Sequence, residues 1–234
     1  MNFKDGYDVS ARRDFILNEL DWLFTKTGKP QNALLISYAY SGTAFDAFFA
    51  DLQVIFDARN IRLVKITDKN AGTPKDLITN ANMFVVCGGD LAALIAGLNA
   101  LKTGTWSPYP VIKSKIENRI PYLGWNEGSV VTSGIEFNFP NNPITASVKI
   151  GNYELIRNYT NNNNTSNNPI KQCLLNNKLT VNRVFAMTDT APETKEDKSS
   201  VRLEESGGGL LSVIIGDPLV TEYFLDQNNN LVYQ

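Results

Sequence analysis

Four short, almost wholly apolar runs recur along the first half of the chain: Ala33 to Tyr38 (ALLISY), Ile61 to Ile66 (IRLVKI), Met83 to Cys87 (MFVVC) and Ile120 to Leu123 (IPYL). Runs of this length without polar alternation suit strands buried on both faces, as in a parallel sheet covered by helices. Amphipathic stretches fill the intervals. Phe45, Phe48, Phe49, Leu52, Ile55 and Phe56 share one side of a helix predicted over 44–59, and further helices are predicted over 74–81, 91–101 and 111–118. Upstream, Phe15, Ile16, Leu20, Leu23 and Phe24 recur at helical spacing behind Ser10 as N-cap, and Gly28-Lys29-Pro30 stops that helix. Strands alternating with helices in this way predict an α/β three-layer sandwich around a mainly parallel, doubly wound sheet.

The second half changes character. Asn158 to Asn168 and Thr188 to Ser200 read as exposed loops, and strand-like pieces are predicted at 181–187, 209–215, 220–225 and 231–233. The last two form a hairpin turning on Asn228-Asn229-Asn230, so antiparallel strands are expected near the C-terminus. The 234 residues suit one α/β domain over 1–234, with an N-terminal helix at 10–28 and loops at 158–168 and 188–200.

Composition restricts function. Charge is balanced, with 22 basic against 24 acidic residues, which argues against a nucleic-acid partner needing a clustered basic surface. No apolar run approaches the 18 or so residues of a membrane span, and the charged start MNFKDGYDVSARRDF is unlike a signal peptide, so a cytoplasmic location is expected, in a cell or in an infected host cell. Cys87 and Cys173 lack zinc-site spacing; Cys87, closing an apolar run, reads as a core residue. There is no histidine at all, which removes imidazole bases and imidazole metal ligands, and no metal or cofactor is expected. Asparagine, at 27 residues, is abundant.

In an open parallel sheet the functional crevice lies beyond the carboxyl ends of the strands. Two glycine-bearing turns fall there: Gly88-Gly89-Asp90 after MFVVC, and Gly124-Trp125-Asn126-Glu127-Gly128 after IPYL. The second has the frame of a G-x-S-x-G nucleophile elbow, with Asn126 at its centre. Asn126 reads either as a turn residue tolerant of left-handed angles or as an amide that binds a ligand. Ser206-Gly207-Gly208-Gly209 lacks the ending of a phosphate loop and reads as a turn.

Val86-Cys87-Gly88-Gly89-Asp90-Leu91 followed by Pro121-Tyr122-Leu123-Gly124-Trp125-Asn126-Glu127-Gly128 resembles the peptidase E group of serine peptidases, which includes cyanophycinase and has a fold similar to class I glutamine amidotransferases. The family carries a strand ending in Gly-Gly-Gly-Asn and then Tyr-x-Gly-Trp-Ser-Ala-Gly. The resemblance runs from about Ala33 to Thr160 and is faint beyond. It implies that Asn126 stands where the family has its nucleophilic serine, Asn141 (in Asn141-Asn142-Pro143) where it has its acid, and Asn158 where it has its histidine. An amide is neither nucleophile nor base at neutral pH, so the resemblance implies a lost triad and a catalytically inactive binding or assembly module, with no hydrolysis of Asp-X dipeptides or cyanophycin. Gly88, Gly89, Asp90, Gly124, Trp125, Glu127 and Gly128 would then line a former pocket. By the same resemblance a homo-oligomer, a dimer or larger, is expected. Two other readings stand beside it: a hydrolase with a histidine-free mechanism using Glu127, Lys149 or another carboxylate as base, and a structural component of a viral or phage particle.

Overall fold

A computed structural model describes residues 13–38, 42–87, 89–99, 106–125, 128, 131, 153–156, 168–177, 182–188, 199–204, 211–216 and 219–234. Their elements are α1 (Arg13–Thr27), β1 (Asn32–Ile36), α2 (Thr43–Asp57), β2 (Arg62–Lys65), α3 (Pro74–Asn80), β3 (Phe84–Val86), α4 (Leu91–Asn99), α5 (Pro108–Glu117), β4 (Tyr122–Trp125), β5 (Tyr153–Ile156), α6 (Pro169–Asn176), β6 (Arg183–Thr188), β7 (Ser199–Glu204), β8 (Leu211–Gly216), β9 (Leu219–Leu225) and β10 (Leu231–Tyr233).

The expected α/β architecture is present. A six-stranded sheet runs in the order β2-β1-β3-β4-β8-β7, parallel throughout except for β7, which pairs antiparallel with β8. Alternate residues of the central strands feed two cores. Leu34, Ile36, Phe84, Val86 and Tyr122 pack with α3, α4 and α5 side chains such as Ile78, Leu94 and Ile112. Ala33, Leu35, Leu63, Val85 and Leu123 pack with Ile16, Leu20 and Leu23 of α1 and Phe45, Leu52 and Phe56 of α2. Each fully buried aliphatic or aromatic side chain contributes about 1.5–3 kcal/mol, so these two layers hold the helices to the sheet.

Helix ends follow local chemistry. Gly28, at φ 76°, takes the left-handed conformation that ends α1, its N–H donating to the Phe24 carbonyl at 2.9 Å. At α3, Thr73 Oγ1 accepts from the Asp76 N–H at 3.2 Å and Pro74 occupies the first turn. Helix α2 differs: its N-cap is Gly42, which supplies no side-chain cap.

A second sheet, β10-β9-β6-β5, is parallel between β5 and β6 and antiparallel elsewhere. Ile170, Cys173 and Leu174 of α6 form its core with Val184 and Tyr223. The β9–β10 hairpin turns on Asp226 to Asn230 as expected, with Asp226 Oδ1 accepting the N–H groups of Asn228 and Asn230 at 2.8 and 2.7 Å.

Several boundaries are corrected. Strand β1 ends at Ile36, leaving Ser37 and Tyr38 beyond the ladder, whereas β4 runs on through Gly124 and Trp125. The stretches read as loops are trimmed by neighbours. Asn168 is the buried N-cap of α6, its Oδ1 accepting from the Ile170 N–H at 2.9 Å, and Thr188, Ser199 and Ser200 belong to strands β6 and β7. Strand β5 and helix α6 were not expected.

Candidate functional site

Chain order reverses between β1 and β3: the chain moves from β1 outward to β2, then crosses back to place β3 on the other side of β1. Loops on either side of such a switch diverge, and the gap between them is where open α/β sheets take ligands. Strand β4 flanks β3, in register at Val86 and Gly124. The carboxyl ends of β1, β3 and β4 therefore bring together Ser37 and Tyr38, then Cys87, Gly89 and Asp90, and then Trp125 and Gly128.

The β4 turn is clamped against β3. A side chain at Gly128 would collide with the carbonyl oxygen of Val86, so only glycine admits this approach. The Tyr122 hydroxyl, buried beneath, donates to the Gly128 carbonyl and ties the far side of the turn back to its own strand. The turn after β3 is also tight, with Gly89 at φ 139°. Asp90 is exposed and caps α4, its Oδ1 accepting the Ala93 N–H at 3.1 Å.

Two residues that sequence reasoning missed sit at the switch point itself. Ser37 Oγ and Tyr38 Oη are both shielded from solvent, and among the described residues neither has a hydrogen-bond partner. Ser37 follows Ile36, whose carbonyl accepts the Cys87 N–H at 3.3 Å. Tyr38 lays its ring against Gly97 of α4, in the core that α3, α4 and α5 cover. Burial pushes the Tyr38 phenol up to about 12, so it is a neutral donor at working pH. Burial also pushes the Cys87 thiol well up; it is a core residue, as expected, and no thiolate nucleophile. The available signal for this pair was a serine and a tyrosine closing an otherwise aliphatic run.

Of the sequence-predicted site residues, Gly89, Asp90, Gly124 and Gly128 are placed at this edge and Trp125 ends β4. Gly88, Asn126, Glu127, Asn141 and Asn158 lie outside the described residues, as do Ser129 and Lys149. Among the described residues no group of three or more Cys, Asp or Glu side chains is arranged to hold a metal ion, and no helix is long and apolar enough to cross a membrane. A groove of about 360 Å³ opens at the other end of the strands, lined by Asn32, Arg62, Asp76 and Asn80 among others. It lies away from the switch point, and Asp76 there is already engaged by the Thr73 hydroxyl at 2.6 Å.

No protein-family model matches the chain. The structure also compares with a crystal structure of a protein provisionally named Peptidase E from Listeria monocytogenes EGD-e, at 12% identity and a TM-score of 0.45 over 94% of each chain, a likeness too loose to bear on fold or function. By sequence, the chain is 22% identical over 136 residues to Peptidase E of Pasteurella multocida (strain Pm70), covering 56% of this chain and 54% of that protein. The chain thus spans about half the length of the curated relative it matches. This match corrects the expectation that the chain is not an enzyme, since the relative carries a peptidase's name. The physical error lay in equating loss of imidazole with loss of chemistry: carboxylates, lysines and tyrosines also transfer protons in active sites. Over those 136 residues the chain is a distant homologue of Peptidase E.

Proposed function

We propose that this chain is a peptidase E-like hydrolase of short peptides that works without an imidazole at the carboxyl ends of β3 and β4. The observation that carries the reading is the clamped turn after β4, where Gly124 is in register with Val86 and Gly128 is pressed on the Val86 carbonyl. Asn126 and Glu127 lie in sequence between the anchored Gly124 and Gly128. The homology to Peptidase E supplies the reaction class.

With asparagine at the centre of the turn, the nucleophile in this reading is water. Glu127 takes its proton as it adds to the substrate carbonyl, and the Asn126 amide donates to the developing oxyanion. Collapse of the tetrahedral intermediate breaks the C–N bond, and the protonated Glu127 returns its proton to the departing amine. Products are a free carboxylate and a free amine.

A dipeptide panel, including N-terminal aspartyl substrates, assayed with the purified chain tests this. Turnover should follow the protein through purification and fall about 100-fold or more in Glu127→Gln and in Asn126→Ala. Absence of turnover across the panel, or turnover indifferent to both changes, would sink the reading.

A further inference from the structure

We propose that the groove at the amino ends of β1 and β2 binds a small zwitterion with an aliphatic side chain, a free amino acid or a dipeptide, independently of whether the crevice hydrolyses anything. The groove measures about 360 Å³, at the small end of the range for small-molecule sites, and is framed by β1, β2 and α3. Across the two parallel strands Asn32 pairs with Arg62 and Leu34 with Val64. Alternate residues of a strand share a face, so Arg62 stands on the face of Val64, toward the core that α3 covers. From α3, Asp76 and Asn80, one turn apart, line the same groove with Leu77.

The observation that carries the proposal is a pair of opposite charges that share this groove without meeting. Among the described residues the Arg62 guanidinium forms no ion pair and no side-chain hydrogen bond. Asp76 gives Oδ2 to the Thr73 hydroxyl at 2.6 Å, and among the described residues its Oδ1 has no partner. A ligand carboxylate suits the planar fork of Arg62, and a ligand ammonium suits Asp76 Oδ1, each through a charge-assisted hydrogen bond. A simple anion would meet the Asp76 charge and a simple cation the Arg62 charge, so the groove favours a molecule that carries both signs.

The rest of the lining fixes the remaining chemistry. Val64 and Leu77 are only partly buried, so an aliphatic side chain laid on them would remove apolar surface from water. Asn32 is held in place by Asn82, its Nδ2 donating to the Asn82 Oδ1 at 3.0 Å and its Oδ1 accepting the Asn82 N–H at 3.0 Å. It therefore acts as a fixed wall beside Arg62.

The test is titration of the full chain with L-leucine and, separately, glycyl-L-leucine, read by calorimetry and by NMR shifts of the Val64 and Leu77 methyl groups. Saturable binding of either zwitterion is expected, and their relative affinities give the charge separation that the groove prefers. L-leucinamide lacks the carboxylate and N-acetyl-L-leucine lacks the ammonium, so each should bind about fivefold more weakly than L-leucine or worse. Arg62→Gln and Asp76→Asn should weaken leucine binding by a similar factor with the unfolding midpoint unchanged, since both side chains are exposed and the new amide oxygen still accepts from Thr73. Absence of saturable binding, blocked compounds that bind as well as leucine, or affinities unaltered in both variants would overturn the proposal. So would methyl shifts confined to residues outside the groove. None of these readouts involves turnover, so failure here is separate from failure of the hydrolase reading.

Discussion

Arg202 on edge strand β7 grips Glu19 of α1, 183 residues away in sequence, with Nε donating to Oε2 at 3.0 Å and Nη2 to Oε1 at 3.2 Å. The Glu19 side chain is only 5% exposed and the Arg202 side chain 43%, so a buried carboxylate is matched by a guanidinium that still meets water. The Arg202 guanidinium carbon also lies 5.4 Å from the centroid of the Trp22 ring, one turn further along α1. This pair ties α1 to the antiparallel edge strand of the six-stranded sheet.

Removing Arg202 strands the carboxylate. Arg202→Ala is expected to lower stability by about 2–3 kcal/mol in urea unfolding, below the cost of a fully buried pair because water reaches this one. Glu19→Gln with Arg202→Ala should recover a good part of that loss, since no charge then remains buried. A double variant as unstable as Arg202→Ala alone would show that lost packing on Trp22, and not the stranded charge, dominates.

The fold was legible wherever one strand or helix carried its own signal. ALLISY, MFVVC and IPYL announced central parallel strands because burial on both faces leaves no polar residue to blur them. The errors came where a polar residue had two readings. Asn168 closes an asparagine-rich stretch and was read as loop, yet Asn followed by Pro169 is also a helix start, and Asn168 caps α6 from a buried position. Ser37 and Tyr38 read as the end of a strand, although the ladder stops at Ile36 and both hydroxyls lack a partner among the described residues. That switch exists only in the strand order, which pairings between distant segments decide, so no local pattern could point to β1 as one wall of the crevice. The two glycine turns were legible because a close backbone approach demands glycine wherever it occurs.

Acid should loosen the packing of α1 on the segment after α2. Asp21 accepts Arg59 Nε at 2.7 Å and Nη2 at 2.6 Å, and this hydrogen bonding to the guanidinium holds its carboxyl below the usual range. A carboxyl with a depressed folded value stabilises above its unfolded value near 3.8, and that stability is lost as pH falls through the folded value. Asp21 is 48% exposed, so the contribution is at most about 1 kcal/mol. Arg59→Ala should move the Asp21 carboxyl upward in an NMR titration and flatten the stability profile below pH about 4. An Asp21 titration unmoved by Arg59→Ala would refute this.

Glycines at the crevice should differ in what they tolerate. At Gly128 an added methyl meets the Val86 backbone, which cannot move without breaking β3 from its neighbours. At Gly97 it meets Cβ and Cγ of Tyr38, so the Tyr38 side chain must shift as a whole, but no strand ladder has to break. Gly128→Ala is expected to cost about 3 kcal/mol or more, and Gly97→Ala about 1–2 kcal/mol after the gain in helix propensity is set against the clash. Thermal unfolding of the two variants side by side checks the order; the reverse order would mean the β4 turn yields more readily than the ring.

Tyr38 separates what a ring does from what its hydroxyl does. The ring covers Gly97 and joins the core formed with Ile36, Leu94 and Leu98, so Tyr38→Ala should leave a cavity and cost about 3–4 kcal/mol. Among the described residues the hydroxyl has no hydrogen-bond partner, and it is shielded from water, an arrangement that costs stability instead of adding to it. Tyr38→Phe keeps the ring and deletes the orphan, and is therefore expected to raise the unfolding midpoint, by up to about 1 kcal/mol in free energy. The same burial fixes a pH signature. With its phenol pushed up to about 12, Tyr38 stays protonated at every pH where the fold survives, and difference absorbance near 295 nm should show no ionisation of this residue until about pH 12 or until the chain unfolds. A destabilised Tyr38→Phe would mean that the hydroxyl has an acceptor in solution, whereas a phenolate at Tyr38 near pH 10 would mean that water reaches this oxygen at the switch point.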